Sequence, residues 1–576
     1  MAFSHKLLKC RRSAVAGVAG TSFWVLVLVF SVVFLSTRPR DEGLFGAVTA
    51  IATPSASSSL VDHGQGKCQE LQSLPDNVAR CRYVRSHPPC APQGYVDYLQ
   101  VFYCGFGRWP WLGGAALLLW LLVLFYLLGD TASQYFCASL EGLSAALRLP
   151  PAIAGVTFLA LGNGAPDVLS SVVAFASAGG KGGADAADVG LSSALGGALF
   201  VSTVVTGVVA VAARSRDAVV IERRAFVRDV CFLLVALLYL LAVLLAGTVT
   251  VWAAASFLSL YAAYVLAVGI SHCCASAAAA APDTKPDLVV PLLVDDDDAP
   301  PPLPVSGKPA AAPRTFPRCL RDVLHAPLYL PRRLTIPDIA AHRWCKPYAV
   351  ASALLAPLLL AAASSPTNPS VLLSGAVAGA LLAAAGAAAT RASAPPRSTW
   401  ARLPWLGGGF LMSVLWSYML ARELVALLVA IGLVVGVSAS LLGATVLAWG
   451  NSLGDLVANV AIALHGGPDG VQTAVSGCYA GPAFNMVVGL GLSMTLAAGA
   501  RYPEPYAIPV DASVYEAVGF LVAALVWAMV VLLMRGMRMG RMLGAGLLFI
   551  YLCFLSIRIC ESIGVFSLGS AGRPVT

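Results

Sequence analysis

The chain has 576 residues, of which 58% are hydrophobic and only 11% charged, and it carries a net charge of +8. Soluble domains hold about 25% charged residues, so this composition excludes a soluble enzyme and, with many apolar runs near the ~20 residues that span a bilayer, defines an all-α polytopic membrane protein. The positive charge is no nucleic-acid signal, because the basic residues sit in short loops, where they set topology.

Taken in order, Lys6, Arg11 and Arg12 precede an apolar run, Ser22 to Leu35. Residues 1–37 therefore read as an N-terminal signal anchor or a cleavable signal peptide. Residues 38–108 form a non-cytosolic loop holding Cys68, Cys81, Cys90 and Cys104. Their spacings of 13, 9 and 14 do not fit the close cysteine pairs of zinc sites, which leaves disulfides or free thiols.

Residues 109–272 form a first half, with spans near 111–137, 151–178, 189–212, 227–245 and 249–271. A cytosolic loop, 273–346, follows. Its Ala/Pro-rich first part has the composition of a disordered segment, and its run Asp295–Asp298 is either a solvated charge cluster or a regulatory cation site without the turn glycine of a calcium loop. Residues 347–404 add extra spans near 348–363 and 371–389. A second half, 405–563, has spans near 406–433, 440–464, 473–498, 512–534 and 542–559, and 564–576 form the C-terminal tail. The total is about 13 spans including the anchor.

With the N-terminus inside, alternation places the arginine-rich loops at 214–228, 273–346, 391–402 and 535–541 inside and the cysteine loop outside, as the positive-inside rule requires.

The chemistry concentrates in two matched stretches. Gly155 to Asp167 (GVTFLALGNGAPD) aligns with Gly443 to Asp455 (GATVLAWGNSLGD), 288 positions later. Thr157/Thr445, Gly162/Gly450, Asn163/Asn451 and Asp167/Asp455 coincide. A charged side chain at the bilayer centre costs several kcal/mol, ~2.5–3.5 at the low end, unless it faces a partner, a polar cavity or a cation. One buried Asp beside an Asn is readily a satisfied interhelical hydrogen bond; a duplicated pair is better explained as a shared site. The Asp167 span is third and the Asp455 span tenth, so they cross in opposite directions, the geometry of an inverted repeat with its site near the midplane.

The candidate cation ligands are Asp167, Asp455, Asn163, Asn451, Ser452 and Asn485, with Gly162 and Gly450 allowing close packing or an unusual backbone. Asn163 and Asn451 stand one helical turn from their Asp residues, and Pro166 frees the Gly162 carbonyl. Such oxygen donors suit Ca²⁺, Na⁺, K⁺ or Mn²⁺. After each motif comes a small-residue stretch, Gly196-Gly197-Ala-Leu-Phe200-Val201 and Ala480-Gly481-Pro482-Ala-Phe484-Asn485, in which Asn485 adds an oxygen and Val201 does not. Glu423 and Asp130 precede the motifs, either as helix-end charges or on an ion path, and His465 reads as a loop residue.

These motifs resemble the α-1 and α-2 repeats of the Ca²⁺:cation antiporter superfamily, in the cation/calcium exchanger (CCX) subfamily that groups plant exchangers with the mitochondrial-type exchanger. The resemblance covers 111–271 and 406–559. It implies a Na⁺/Ca²⁺-exchanger-like fold of two inverted five-helix repeats, alternating access, and Asp167 and Asp455 as central ligands beside Asn163 and Asn451. Na⁺/Ca²⁺ exchangers commonly carry Glu after Gly-Thr-Ser and an acidic or polar residue on both following helices. Asp after Gly-Asn, with Val201 and Asn485, opens the ion set to monovalent cations, Mn²⁺ or H⁺.

The expected function is therefore secondary antiport of Ca²⁺ or another small cation (Na⁺, K⁺, Mn²⁺) for Na⁺, K⁺ or H⁺, with no tightly bound cofactor and with the bilayer and small inorganic cations as partners. An intramembrane aspartyl protease also needs two membrane aspartates and is the alternative; a channel is a third reading.

Overall fold

The structure is a computed structural model that describes residues 71, 74–86, 94–146, 160–177, 183–212, 220–279, 328–340, 343–392, 394–396, 398–465, 470–508 and 512–562. The anchor segment, Cys68, Cys90, Thr157 and Asp295–Asp298 lie outside these residues.

Eleven helices among the described residues are long and apolar enough to cross a membrane. Two short elements precede them, α1 (Asn77–Ser86) and α2 (Tyr98–Gln100), the latter running into a π-turn at Val101–Gly105. The first half then holds α3 (Pro110–Thr131, continuing through a π-turn at Ala132–Cys137 into Ala138–Ala146), α4 (Ala160–Ser177), and α5 (Gly183–Phe200, with a π-turn at Val201–Val205 and a last stretch Thr206–Ala212). It closes with α6 (Arg223–Ala246) and α7 (Val251–Ala279). A hairpin of α8 (Lys346–Ser364) and α9 (Pro369–Ala389) separates the halves.

The second half has α10 (Thr399–Val435), α11 (Ala439–Leu442, a π-turn at Gly443–Leu447, then Ala448–His465), and α12 (Gly470–Phe484, a π-turn at Asn485–Leu490, then Gly491–Ala500). It ends with α13 (Ala512–Met534) and α14 (Arg541–Ser562). His465 thus ends a helix rather than sitting in a loop, and α10 begins well before the expected 406, with Pro404 inside its first turns.

Local chemistry accounts for several helix ends. Pro110 and Pro369 occupy first-turn positions, where no backbone donor is lost. Gly247 (φ 68°) and Gly436 (φ 81°) end α6 and α10 in the left-handed conformation that glycine adopts without a Cβ penalty.

The interior is organised by α5, 83% buried over its most apolar window, whereas α9 is only 17% buried and faces outward. In lipid no hydrophobic force draws helices together, so close approach depends on small residues. A Cβ on Gly196 would fall 2.4 Å from the Ala444 carbonyl oxygen, and one on Gly443 would fall 2.6 Å from that of Val189. Here α5 and the π-turn of α11 meet backbone to backbone, which joins the two halves. The α8–α9 hairpin uses the same device, with Gly379 against the Leu354 carbonyl.

Loop contacts agree with the alternating topology. Thr248–Val249 pairs with Tyr506–Ala507, two segments that alternation puts outside. Ile221 donates to Met537 O (2.9 Å) and the Glu222 amide to Gln472 Oε1 (2.7 Å), all in segments that it puts inside.

The described part of the loop ahead of α3 is more ordered than its polar composition suggests. Cys81 and Cys104 are disulfide-bonded, tying α1 to the π-turn after α2. This cap delivers Tyr98 to Glu423: the hydroxyl donates to Oε2 (2.5 Å) and receives Trp120 Nε1 (3.0 Å), while the Tyr95 amide donates to Oε1. Burial, then the bond to Glu423, push the Tyr98 hydroxyl above its ordinary value, so it remains a donor. Glu423 lies in the interior of α10 and is buried, which replaces the helix-end reading with that of an anchor for the cap. Asp130 is likewise engaged, by Arg332 at 2.7 Å. A membrane-impermeant maleimide added from outside is expected to label Cys81 and Cys104 only after reduction; labelling of Cys81 without reductant overturns the pairing.

Candidate functional site

The site lies where α4 and α11 cross beside α5 and the π-turn of α12. Asp167, on α4, is 5% exposed. Its Oδ2 accepts a 2.6 Å hydrogen bond from Asn485 Nδ2, at the first position of the α12 π-turn, and its Oδ1 is buried without a partner. Asn451 and Ser452, on α11, are also buried. Asn451 lies beside Asp167 and donates to Ser170 Oγ at 3.4 Å. Ser170 lies beyond Asp167 on α4 while Asn451 lies before Asp455 on α11, as expected of helices running in opposite directions.

Asn451 Oδ1, Asn485 Oδ1 and Ser452 Oγ share with Asp167 Oδ1 the property of being buried and unpaired. An unpartnered buried polar atom costs about 1–3 kcal/mol. Four such oxygens contributed by both halves are the arrangement a cation would satisfy, and the donor set of carboxylate, amide and hydroxyl oxygens fits hard cations. The wall behind them is Gly197 of α5, whose Cβ would lie 3.4 Å from Ser452 Oγ and 3.8 Å from Asp167 Oδ1.

Asp455 is partly buried on α11 and interacts electrostatically with Asp167. The neighbouring Gly454 borders open space. Asn459, one turn further on, donates Nδ2 to the Asp455 carbonyl at 2.8 Å.

Of the sequence candidates, Asp167, Asn451, Ser452 and Asn485 come together, with Asp455 at their edge. Asn163 does not join them; its side chain is exposed although it is one turn from Asp167. Gly162 and Gly450 are points of close approach to α3, against Cys137 Sγ (2.9 Å from a built Cβ) and the Phe125 ring (2.0 Å). Val201 is buried in the α5 π-turn and offers no oxygen. Sequence reading missed Ser170 and Asn459. The available signal was a polar residue recurring within a turn after each Asp on an otherwise apolar helix.

Comparison with known proteins bears on this site. Residues 117–269 and 405–560 match the family described as Sodium/calcium exchanger protein, and these two stretches leave out the α8–α9 hairpin. Over 517 residues the chain is 45% identical to Cation/calcium exchanger 1 of Arabidopsis thaliana, covering 86% of this chain and 89% of the relative. It is 43% identical to Cation/calcium exchanger 2 of the same plant over 532 residues, 89% and 94% of the two chains. The human Mitochondrial sodium/calcium exchanger protein is 31% identical over 594 residues, 94% and 97% of the two chains. Relatives that match along nearly their whole length are transporters, which leaves the protease reading without support. The chain belongs to the sodium/calcium exchanger family, in its plant cation/calcium exchanger branch, and is an integral membrane cation antiporter rather than an enzyme.

Proposed function

We propose that this antiporter moves Ca²⁺ or another small cation (Na⁺, K⁺, Mn²⁺) against Na⁺, K⁺ or H⁺, with Asp167 and Asp455 as the central ligands and Asn451, Ser452 and Asn485 completing the set. The observation that carries this reading is the group of unpaired buried oxygens around Asp167, drawn from α4, α11 and α12. Asn163, Gly162 and Gly450 act at its margin, as the helix surface and packing positions described above.

Charge balance supports exchange over simple permeation. Two ionised carboxylates facing a low-dielectric interior are costly to carry uncompensated. One divalent cation, two monovalent cations or two protons each neutralise them. A site that rearranges only when neutral exchanges one such load for another, which is the coupling that antiport needs. The whole unit has two five-helix repeats, 109–272 and 405–563, and the cap, linker and α8–α9 hairpin stand outside that machinery.

Flux in reconstituted vesicles under Na⁺, K⁺ and pH gradients imposed one at a time tests the reading. Ca²⁺ movement is expected to require an opposing gradient of at least one of these ions. Ca²⁺ flux indifferent to every counter-ion would make the protein a channel.

A further inference from the structure

We propose that Gly164 is a positioning residue for the Asn485 amide, and so a determinant of cation affinity at the site read above, on which this inference rests. Gly164 is buried on α4, three residues before Asp167. A Cβ built there would fall 2.0 Å from Asn485 Oδ1 and 2.9 Å and 3.1 Å from two carbons of the Phe484 ring. The amide of Asn485 is thus seated directly on the α4 backbone, in the space that any larger residue at 164 would fill. The Phe484 ring beside it packs edge-on against Tyr261, with centroids 5.1 Å apart, which restricts the direction in which it can yield.

The seat fixes what each end of the amide does. A carboxylate only accepts, so the nitrogen is the end that faces Asp167, at 2.6 Å. The oxygen then remains unpaired in the buried site. Rotating the amide away from a side chain at 164 breaks the bond to Asp167 and withdraws that oxygen together.

The pair related to it by the inverted repeat supports a size relation between these positions. There Ser452 stands where Gly164 stands, and Val201 stands where Asn485 stands. A hydroxyl on one half's motif helix goes with an apolar residue on the helix after the other half's motif, and a bare Cα goes with an amide. Each cross-half pair therefore holds one neutral oxygen-bearing side chain, both of them from the second half, Asn485 opposite Gly164 and Ser452 in the pair with Val201, and both Ser452 and Val201 are buried.

The test is a double-mutant cycle in reconstituted vesicles, reading half-saturating Ca²⁺ and maximal rate separately for Gly164→Ala, Asn485→Ala and the pair. A hydrogen bond to a charged group is lost in each single variant, so half-saturation is expected to rise about tenfold or more in both, with maximal rate changing less. Because both lose the same amide, the double variant is expected to match Asn485→Ala rather than multiply the two effects. Unchanged half-saturation in Gly164→Ala, or multiplied losses in the pair, overturns the proposal. If Gly164→Ala alone fails to fold, the double variant decides, because removing the amide vacates the space and folding must return. Asp167→Asn separates this from the site reading: wild-type exchange in that variant removes the cation site itself and leaves Gly164 a packing position.

Discussion

Asp455→Asn is expected to abolish exchange while leaving the protein folded in the membrane. The substitution keeps side-chain volume and removes one charge from a pair that interacts across the repeat interface. A unit charge acting at 4 Å through an effective dielectric near 20 is worth about 4 kcal/mol, or roughly three decades of cation affinity. Folding is not expected to suffer, because burying a neutral amide costs less than burying a carboxylate. Asp167→Asn is expected to behave the same way in flux. It also loses the charge that receives the Asn485 bond, so its remaining amide can still meet Asn485 but no longer balances a cation. The measurement is counter-ion-driven Ca²⁺ uptake in vesicles, with thermal unfolding of the purified variants as the folding control. Wild-type uptake by Asp455→Asn would remove that residue from the site.

The residues behind this expectation were visible in the sequence because charge is rare inside apolar spans and therefore stands out. Asp167 and Asp455 in one frame, on spans of opposite direction, point to a shared site from the sequence alone. Asn485 was visible by matching the small-residue stretches after the two motifs, where it stands opposite Val201. What stayed hidden depends on tertiary partners. The π-turns at Val201–Val205 and Asn485–Leu490 follow Phe200 and Phe484 in both halves, yet no composition marks them; they arise where the chain must fit a neighbouring helix. Asn163 obeys the one-turn spacing rule but is exposed, because spacing fixes a helix face and not which part of that face is enclosed. The cap on Glu423 was hidden in a loop that reads as polar, since its ordering rests on a disulfide and on partners hundreds of residues away.

Replacing Arg332 with Met is expected to destabilise the protein by about 3 kcal/mol, the usual cost of removing one partner from a buried ion pair. Arg332 belongs to the end of the long linker, yet it is 2% exposed. Its Nη1 meets Asp130 Oδ2 at 2.7 Å, Thr131 Oγ1 at 3.0 Å and the Leu127 carbonyl at 3.4 Å, and its Nε donates to the Leu328 carbonyl at 3.1 Å. Arg343 adds a second tie, to Gln134 Oε1 at 2.8 Å. Both arginines hold the linker to α3 at the start of the π-turn that ends in Cys137, the residue packed on Gly162 of the first motif. Loss of Arg332 leaves the Asp130 carboxylate without its cation, and Asp130→Asn leaves a buried guanidinium without its anion. The double variant, in which neither charge is stranded, is expected to recover much of the loss, because the penalty comes from desolvating an unpaired charge rather than from the absence of attraction. Thermal unfolding of the two singles and the double gives the coupling directly. Strictly additive losses would mean that Arg332 holds the linker through the Thr131 and Leu127 oxygens, with the ion pair contributing nothing of its own.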